Sequence, residues 1–260
     1  MNSFSKLLSI LALLTWTNFS SAQSKVALSQ AHSHNDYDQQ VPFSHAYNRG
    51  FGAIEADVFL VNNQLFVAHD QDKIRPENTL TAKYLKPLKE GLSQDNARQI
   101  TLLVDIKGDY RNILPELIPE LKPLHEFLKN ATSAGRLRVL ISGNRPEPAE
   151  FKNYPEYICF DEDLMHTYSA EELKRVSQIS LRFSNYSSWT GVGPLPERDS
   201  IALQTVIHAA HTLNKPIRFW DAPDNPAGWT ELIKLGVDII GTDKIDALAS
   251  FLENNATLKP

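Results

Sequence analysis

Cysteine is nearly absent from this 260-residue chain: Cys159 stands alone, so no intrachain disulfide can form and the fold must be held by its core. Long apolar runs are missing beyond the first 22 residues, and no later segment approaches the roughly 18 apolar residues expected of a membrane-spanning helix. A surplus of basic charge is missing as well. Lysine and arginine number 26 against 31 aspartates and glutamates, giving a net charge of -5 with no basic run. That balance argues against nucleic acid as the partner. No glycine-rich turn follows the first β-rich segment, which weakens a doubly wound dinucleotide-binding sheet. No linker, low-complexity tract or internal repeat divides the chain, so a single domain is expected.

The first 22 residues form a unit of their own. Lys6, the apolar run Leu7 to Trp16 and the small residues Ser20, Ser21 and Ala22 fit a secretory signal peptide, with a secreted or periplasmic mature domain spanning 23–260. That length is close to the roughly 250 residues typical of one (β/α)8 barrel. Eight β-rich segments can be counted, each followed by a helical pattern: Lys25 to Ser33, Ala53 to Phe59, Ile100 to Ile106, Leu137 to Ser142, Tyr157 to Phe160, Ile179 to Ser184, Pro216 to Trp220 and Val237 to Gly241. The alternation predicts an α/β fold, a single (β/α)8 TIM barrel. Ser169 with Glu172 is a capping box that predicts a helix over Glu171 to Gln178, and apolar spacing through Ile201, Val206 and Ala210 predicts another over Pro196 to Leu213. Pro115, Pro119 and Pro123 predict a late helix start, near Pro119 or Pro123. Asp243 is expected to open the last helix as its N-cap.

The chemical residues fall near the ends of these segments. Glu55 and Asp57 are two apart in a strand, so both carboxylates share one face. Asp105 and Lys107 share a face of the next strong strand, with Leu102, Val104 and Ile106 on the other. His34 precedes Glu55, and His69 follows Asp57 at the end of a second apolar run. Three carboxylates select a hard cation, Mg2+ or Ca2+, and leave coordination positions for substrate oxygens. Lys107 suits a phosphate, and two imidazoles suit general acid and base. A carboxylate pair alone is more often a solvated strand edge; the ordered set of His34, Glu55, Asp57, His69, Asp105 and Lys107 favours catalysis.

These residues carry a family resemblance. His34 in H-N-D, the E-A-D of Glu55 to Asp57, the H-D of His69 and Asp70 and the D-I-K of Asp105 to Lys107 resemble the phospholipase C-like phosphodiesterase superfamily, which includes glycerophosphodiester phosphodiesterases and sphingomyelinase D-type phospholipases. Glycerophosphodiesterases carry H-R-G where this chain has His34-Asn35-Asp36. The resemblance implies a phosphoric diester hydrolase with His34 and His69 as catalytic residues, one divalent cation on Glu55, Asp57 and Asp105, and a small-molecule or lipid-derived phosphodiester as substrate. Trp220 resembles the late-strand tryptophan of the sphingomyelinase D-like branch and is expected to wall the substrate site. Asn35 and Arg145 join Lys107 as expected substrate contacts, with Asp36 and Tyr37 as further loop contacts. A monomer is expected.

Two rival readings follow from the same residues. His32 and His34 form an H-x-H, which in amidohydrolases binds zinc at the end of a first barrel strand. Later strands offer no histidine ligand for that arrangement, and Asp243 is its only partial support. The other rival is a barrel that binds a phosphorylated ligand without turning it over, which the presence of both histidines disfavours.

Overall fold

The structure is a computed structural model and describes residues 26–129 and 135–255; the signal-peptide segment expected over residues 1–22 lies outside them. The strands are β1 (Ala31–Ser33), β2 (Ala53–Val61), β3 (Gln64–Val67), β4 (Ile100–Ile106), β5 (Leu137–Gly143), β6 (Ile158–Glu162), β7 (Val176–Arg182), β8 (Ile217–Trp220) and β9 (Ile240–Thr242). All except β3 pair in parallel, in the order β8-β7-β6-β5-β4-β2-β1-β9. An isolated parallel bridge between Arg218 and Ile239 brings β8 back to the segment entering β9, so eight parallel strands form a nearly closed barrel. β3 folds back on β2 as an antiparallel hairpin through Asn62 and Asn63, whose φ angles of 49° and 59° fit a tight primed turn.

The helices are α1 (Ser44–Asn48), α2 (Lys86–Leu92), α3 (Tyr110–Glu120), α4 (Ala170–Arg175), α5 (Glu197–Thr212), α6 (Pro226–Leu235) and α7 (Ile245–Asn255). Outward residues of the strands, such as Ile54, Ala56, Val58, Leu102, Val104 and Ile106, are buried against this outer layer. Inward positions carry the polar residues. Register places Asp57 beside Asp105 and Asp105 beside Ser142, so three neighbouring strands present oxygen-bearing side chains at one level of the barrel.

Four local expectations are corrected. The first strand is confined to Ala31–Ser33, because Leu28–Gln30 form a 3-10 turn whose Gln30 side chain accepts from the Ala27 N–H at 3.0 Å. α3 starts at Tyr110 rather than late: Asp109 caps it by accepting from Arg111 N at 2.9 Å, and Pro115 and Pro119 both lie on its exposed face. There, carbonyls deprived of an N–H partner can be hydrated. α4 ends at Arg175, since Val176 and Gln178 are buried as part of β7. The capping box itself is present, with Glu172 Oε2 accepting from Ser169 N at 2.6 Å. On α5 the buried stripe is Leu203, Ile207 and Ala210, while Ile201 is exposed.

Candidate active site

A cleft of about 650 Å³ opens at the C-terminal ends of the strands, and His34, Asn35, Glu55, His69, Asp105, Lys107, Arg145 and Trp220 all line it. Its floor is a carboxylate cluster. One ligating oxygen from each of Glu55, Asp57 and Asp105 lies within 4.8 Å of the others. Asp57 is 1% exposed and its Oδ1 has no hydrogen-bond partner, although its Oδ2 meets Lys107 Nζ at 3.0 Å. Burial, and the neighbouring Glu55 charge, push the Asp57 pKa up to about 6. Asp105 Oδ1 meets Lys107 Nζ at 3.1 Å, and Asp105 Oδ2 accepts from Ser142 Oγ at 2.9 Å. Burial opposes the Lys107 charge, but Asp105 and Asp57 outweigh it and raise its pKa. Gly143 has φ +69°, and a Cβ there would stand 2.5 Å from Asp105 Oδ1, so glycine keeps this carboxylate in place.

Glu55 is held from behind. Its Oε2 is 2.7 Å from His32 Nε2 and 3.1 Å from Arg218 Nη1. His32 is fully buried and its Nδ1 has no partner, while its Nε2 lies 2.7 Å from both Glu55 Oε2 and Arg218 Nη1. Burial and the adjacent Arg218 lower the His32 pKa to about 4, so the ring is neutral. Burial works against the Glu55 charge, yet the His32 hydrogen bond and the guanidinium hold this carboxyl well below the usual carboxylate range. Glu55 Oε1 remains free to face the cleft, 3.8 Å from His34 Nε2. His32 is therefore committed to Glu55, and neither it nor His34 belongs to a group of potential metal ligands among the described residues, which removes support from the H-x-H zinc arrangement.

His34 Nδ1 bonds Asp243 Oδ1 at 2.8 Å. Burial lowers the His34 pKa, but Asp243 and Glu55 together raise it above the ordinary histidine value. Asn35 donates to Asp243 Oδ1 at 3.3 Å, and its Oδ1 accepts from the Tyr37 hydroxyl. His69 is more exposed than His34, with Nδ1 2.9 Å from the Tyr37 hydroxyl and 3.4 Å from Asp57 Oδ2.

The structure thus gathers all nine expected site residues around one cleft, with different freedoms. Arg145 lines it, but its Nε and Nη2 form a bidentate pair with buried Glu162 at 2.5 and 2.9 Å. Trp220 is 40% exposed, with the Arg182 guanidinium 5.2 Å from its ring centroid. Asp36 is corrected: it is fully buried, accepts from Ser33 Oγ, Phe43 N and Tyr84 Oη, and cannot touch substrate. Asp243 is corrected as well. Its carboxylate binds His34 and Asn35 instead of capping a helix. Arg218 carried no signal beyond its place on the same strand face as Trp220.

Part of the chain matches the model of an AIM6-like phosphodiesterase domain. The family model matches residues 20–100, a stretch holding His34, Asn35, Glu55, Asp57 and His69 and ending before Asp105. The chain is 25% identical over 265 residues to the altered inheritance of mitochondria protein 6 homolog of Arthroderma benhamiae, covering 85% of this chain and 82% of the relative. It is 26% identical over 278 residues to altered inheritance of mitochondria protein 6 of Eremothecium gossypii, covering 86% and 69%. Its barrel is similar to the crystal structure of a glycerophosphodiester phosphodiesterase from Parabacteroides distasonis, with TM-score 0.55, 17% identity and coverage of 88% of this chain and 98% of that one. A glycerophosphodiester phosphodiesterase from Agrobacterium tumefaciens gives TM-score 0.52 at 15% identity, covering 86% and 99%. These solved structures share the barrel fold of this chain.

Proposed function

We propose that this protein is a metal-dependent phosphoric diester hydrolase acting on a small-molecule or lipid-derived phosphodiester. The observation that carries the proposal is the buried, unpartnered Asp57 Oδ1 inside a triad of carboxylates, between two histidines and beside a lysine. An ionised oxygen removed from water and left without a donor fits a cation ligand. Glu55, Asp57 and Asp105 would hold one Mg2+ or Ca2+, in keeping with an all-oxygen donor set. When bound, that ion supplies Lewis-acid polarisation of the phosphoryl oxygens.

The chain's own residues do the rest. Asp243 fixes the His34 ring through Nδ1, leaving Nε2 as the atom turned to the cleft. His69 presents its ring from the β3 side of the triad, so the two imidazoles can exchange protons with the attacking and leaving oxygens of one phosphorus. Lys107 keeps its proton between Asp57 and Asp105 and offsets phosphate charge. Asn35 and Trp220 border the volume where the ester groups lie, and Arg145 contributes its edge while paired with Glu162. Phosphorus NMR of glycerophosphodiesters, lysophospholipids and phosphoinositides, with Mg2+ or Ca2+ added, tests the reading: conversion of a diester to a monoester or cyclic product is expected. Binding of a diester with no turnover under either ion would favour the non-catalytic barrel. Export is part of the same proposal, supported by Lys6 and the run Leu7 to Trp16; N-terminal sequencing of the mature protein should begin near Gln23.

A further inference from the structure

We infer that Tyr37 is a positioning residue that fixes the ring of His69 with its proton on Nδ1, so that Nε2 is the atom offered to the substrate. The inference rests on the proposed role of His69 as acid or base. Its basis is a count of protons. The Tyr37 hydroxyl has one hydrogen and three close neighbours: Asn35 Oδ1, Asp57 Oδ2 at 2.8 Å and His69 Nδ1 at 2.9 Å. Asn35 must point its oxygen at Tyr37, because its Nδ2 faces the Asp243 carboxylate at 3.3 Å. Two of the three neighbours are therefore acceptors, Asn35 by its fixed amide and Asp57 as long as its carboxylate is ionised. Were Nδ1 a third acceptor, one hydrogen would be shared among three lone pairs. With a proton on Nδ1, His69 donates to the phenol oxygen and the phenol donates onward to Asp57 or Asn35. Asp57 Oδ2, 3.4 Å from Nδ1, favours the same tautomer.

The loop that carries Tyr37 is built to keep the hydroxyl there. Asp36, the preceding residue, is fully buried and ties together Ser33 Oγ at 2.8 Å, Phe43 N at 2.5 Å and Tyr84 Oη at 3.0 Å. Phe43 adopts φ 61° and ψ -61°, with Ser44 N bonded to Pro42 O at 2.7 Å, a tight three-residue turn that is strained for a side-chain-bearing residue. Phe43 is 2% exposed, and its ring packs against Tyr47 and Tyr84 with centroids 5.2 and 6.5 Å away. Core packing thus holds a strained turn that a solvent loop would relax. The Tyr37 and His69 rings stack with centroids 6.3 Å apart, so the phenol controls the imidazole plane as well as its proton.

The test is Tyr37→Phe in the full chain, which keeps the stacked ring and removes the hydroxyl. Loss of such an outer hydrogen bond should lower kcat by roughly 10–100-fold, with KM within about 2-fold. Long-range proton–nitrogen NMR of neutral His69 should show the Nδ1–H form in the wild type and a shift toward Nε2–H in the variant. A wild-type His69 that is mainly Nε2–H overturns the inference, and this spectrum decides even where the variant fails to fold. Unchanged kcat together with an unchanged tautomer in a folded Tyr37→Phe overturns it too. The tautomer is read without turnover, so a correct Nδ1–H shift in a protein that cleaves no diester would uphold the positioning while refuting the proposed function.

Discussion

Among the described residues, two clusters bring three potential ligand atoms within 4.8 Å: Glu55 with Asp57 and Asp105, and Glu162 with Asp163 and His166. Both lie at strand ends and both border the cleft. They differ in what already satisfies them. Glu162 has both oxygens on Arg145, and Oε2 also accepts from Tyr168 at 3.0 Å. The first cluster leaves Asp57 Oδ1 buried with no partner and Glu55 Oε1 turned to the cleft. Proximity of acids therefore does not mark a cation site by itself. A buried carboxylate oxygen short of a donor inside such a cluster does, because it is costly to bury unless something binds it; the equally unpartnered Asp161 Oδ1 belongs to neither cluster, and its other oxygen lies 3.6 Å from Arg218 Nη2.

The largest expected separation between the clusters is in activity. Asp57→Asn, Glu55→Gln and Asp105→Asn should each lower diester turnover by about 10³-fold or more, above the loss from one ordinary electrostatic contact. Glu162→Gln should leave turnover per folded molecule within about 3-fold. Equal losses in both clusters, measured on folded protein, would erase the distinction.

The histidines come next. His69→Ala should lower kcat by about 10²-fold or more while calorimetry still shows metal binding. His34→Ala should abolish measurable turnover in a folded chain that still binds Mg2+. His32→Ala should keep measurable turnover with a lower melting temperature, since His32 supports Glu55 from the core and does not line the cleft. Metal loss in His32→Ala and His34→Ala alike would instead restore the H-x-H reading.

Stability should move in the opposite sense. Removing one partner of the buried Glu162–Arg145 pair by Glu162→Gln should cost about 3 kcal/mol in thermal or denaturant unfolding, more than Asp57→Asn, whose charge is unfavourable in the metal-free fold. The smallest effect is on pH dependence. Asp57 titrates near pH 6 in the fold, pushed up from 3.8 by burial. A carboxyl raised on folding stabilises the protein fully below its unfolded pKa and loses that contribution as pH rises through the folded one. Metal-free protein should therefore gain a few degrees of melting temperature between about pH 7 and 5 from this group. Saturating Mg2+ or Asp57→Asn should reduce the gain, and Glu162→Gln should not.

Much of this arrangement is legible in the sequence, for a physical reason. Period-2 geometry ties Glu55 to Asp57 and Asp105 to Lys107 within single strands, and parallel register then sets Asp57 beside Asp105. Strand alternation likewise yields the eight-stranded barrel. Contacts between distant segments are not legible in this way. Asp243 reaches His34 only because β9 pairs with β1, and as a residue just before a helix it reads as a cap. Tyr37 and Asp36 are neighbours in one loop, yet one faces the cleft histidine and the other is buried in the core. Proline placement misled for a related reason: Pro115 and Pro119 are tolerated in α3 because their spacing of four puts both on the exposed face, which depends on where the helix packs.

The most direct test is phosphorus NMR of a diester incubated with chelator-stripped protein, to which Mg2+ or Ca2+ is returned in steps, beside Asp57→Asn. Turnover should be absent without metal, rise with the added ion to a plateau at one ion per chain, and stay absent in the variant. Full turnover in excess chelator, or equal turnover in folded Asp57→Asn, would contradict a cation held by Glu55, Asp57 and Asp105.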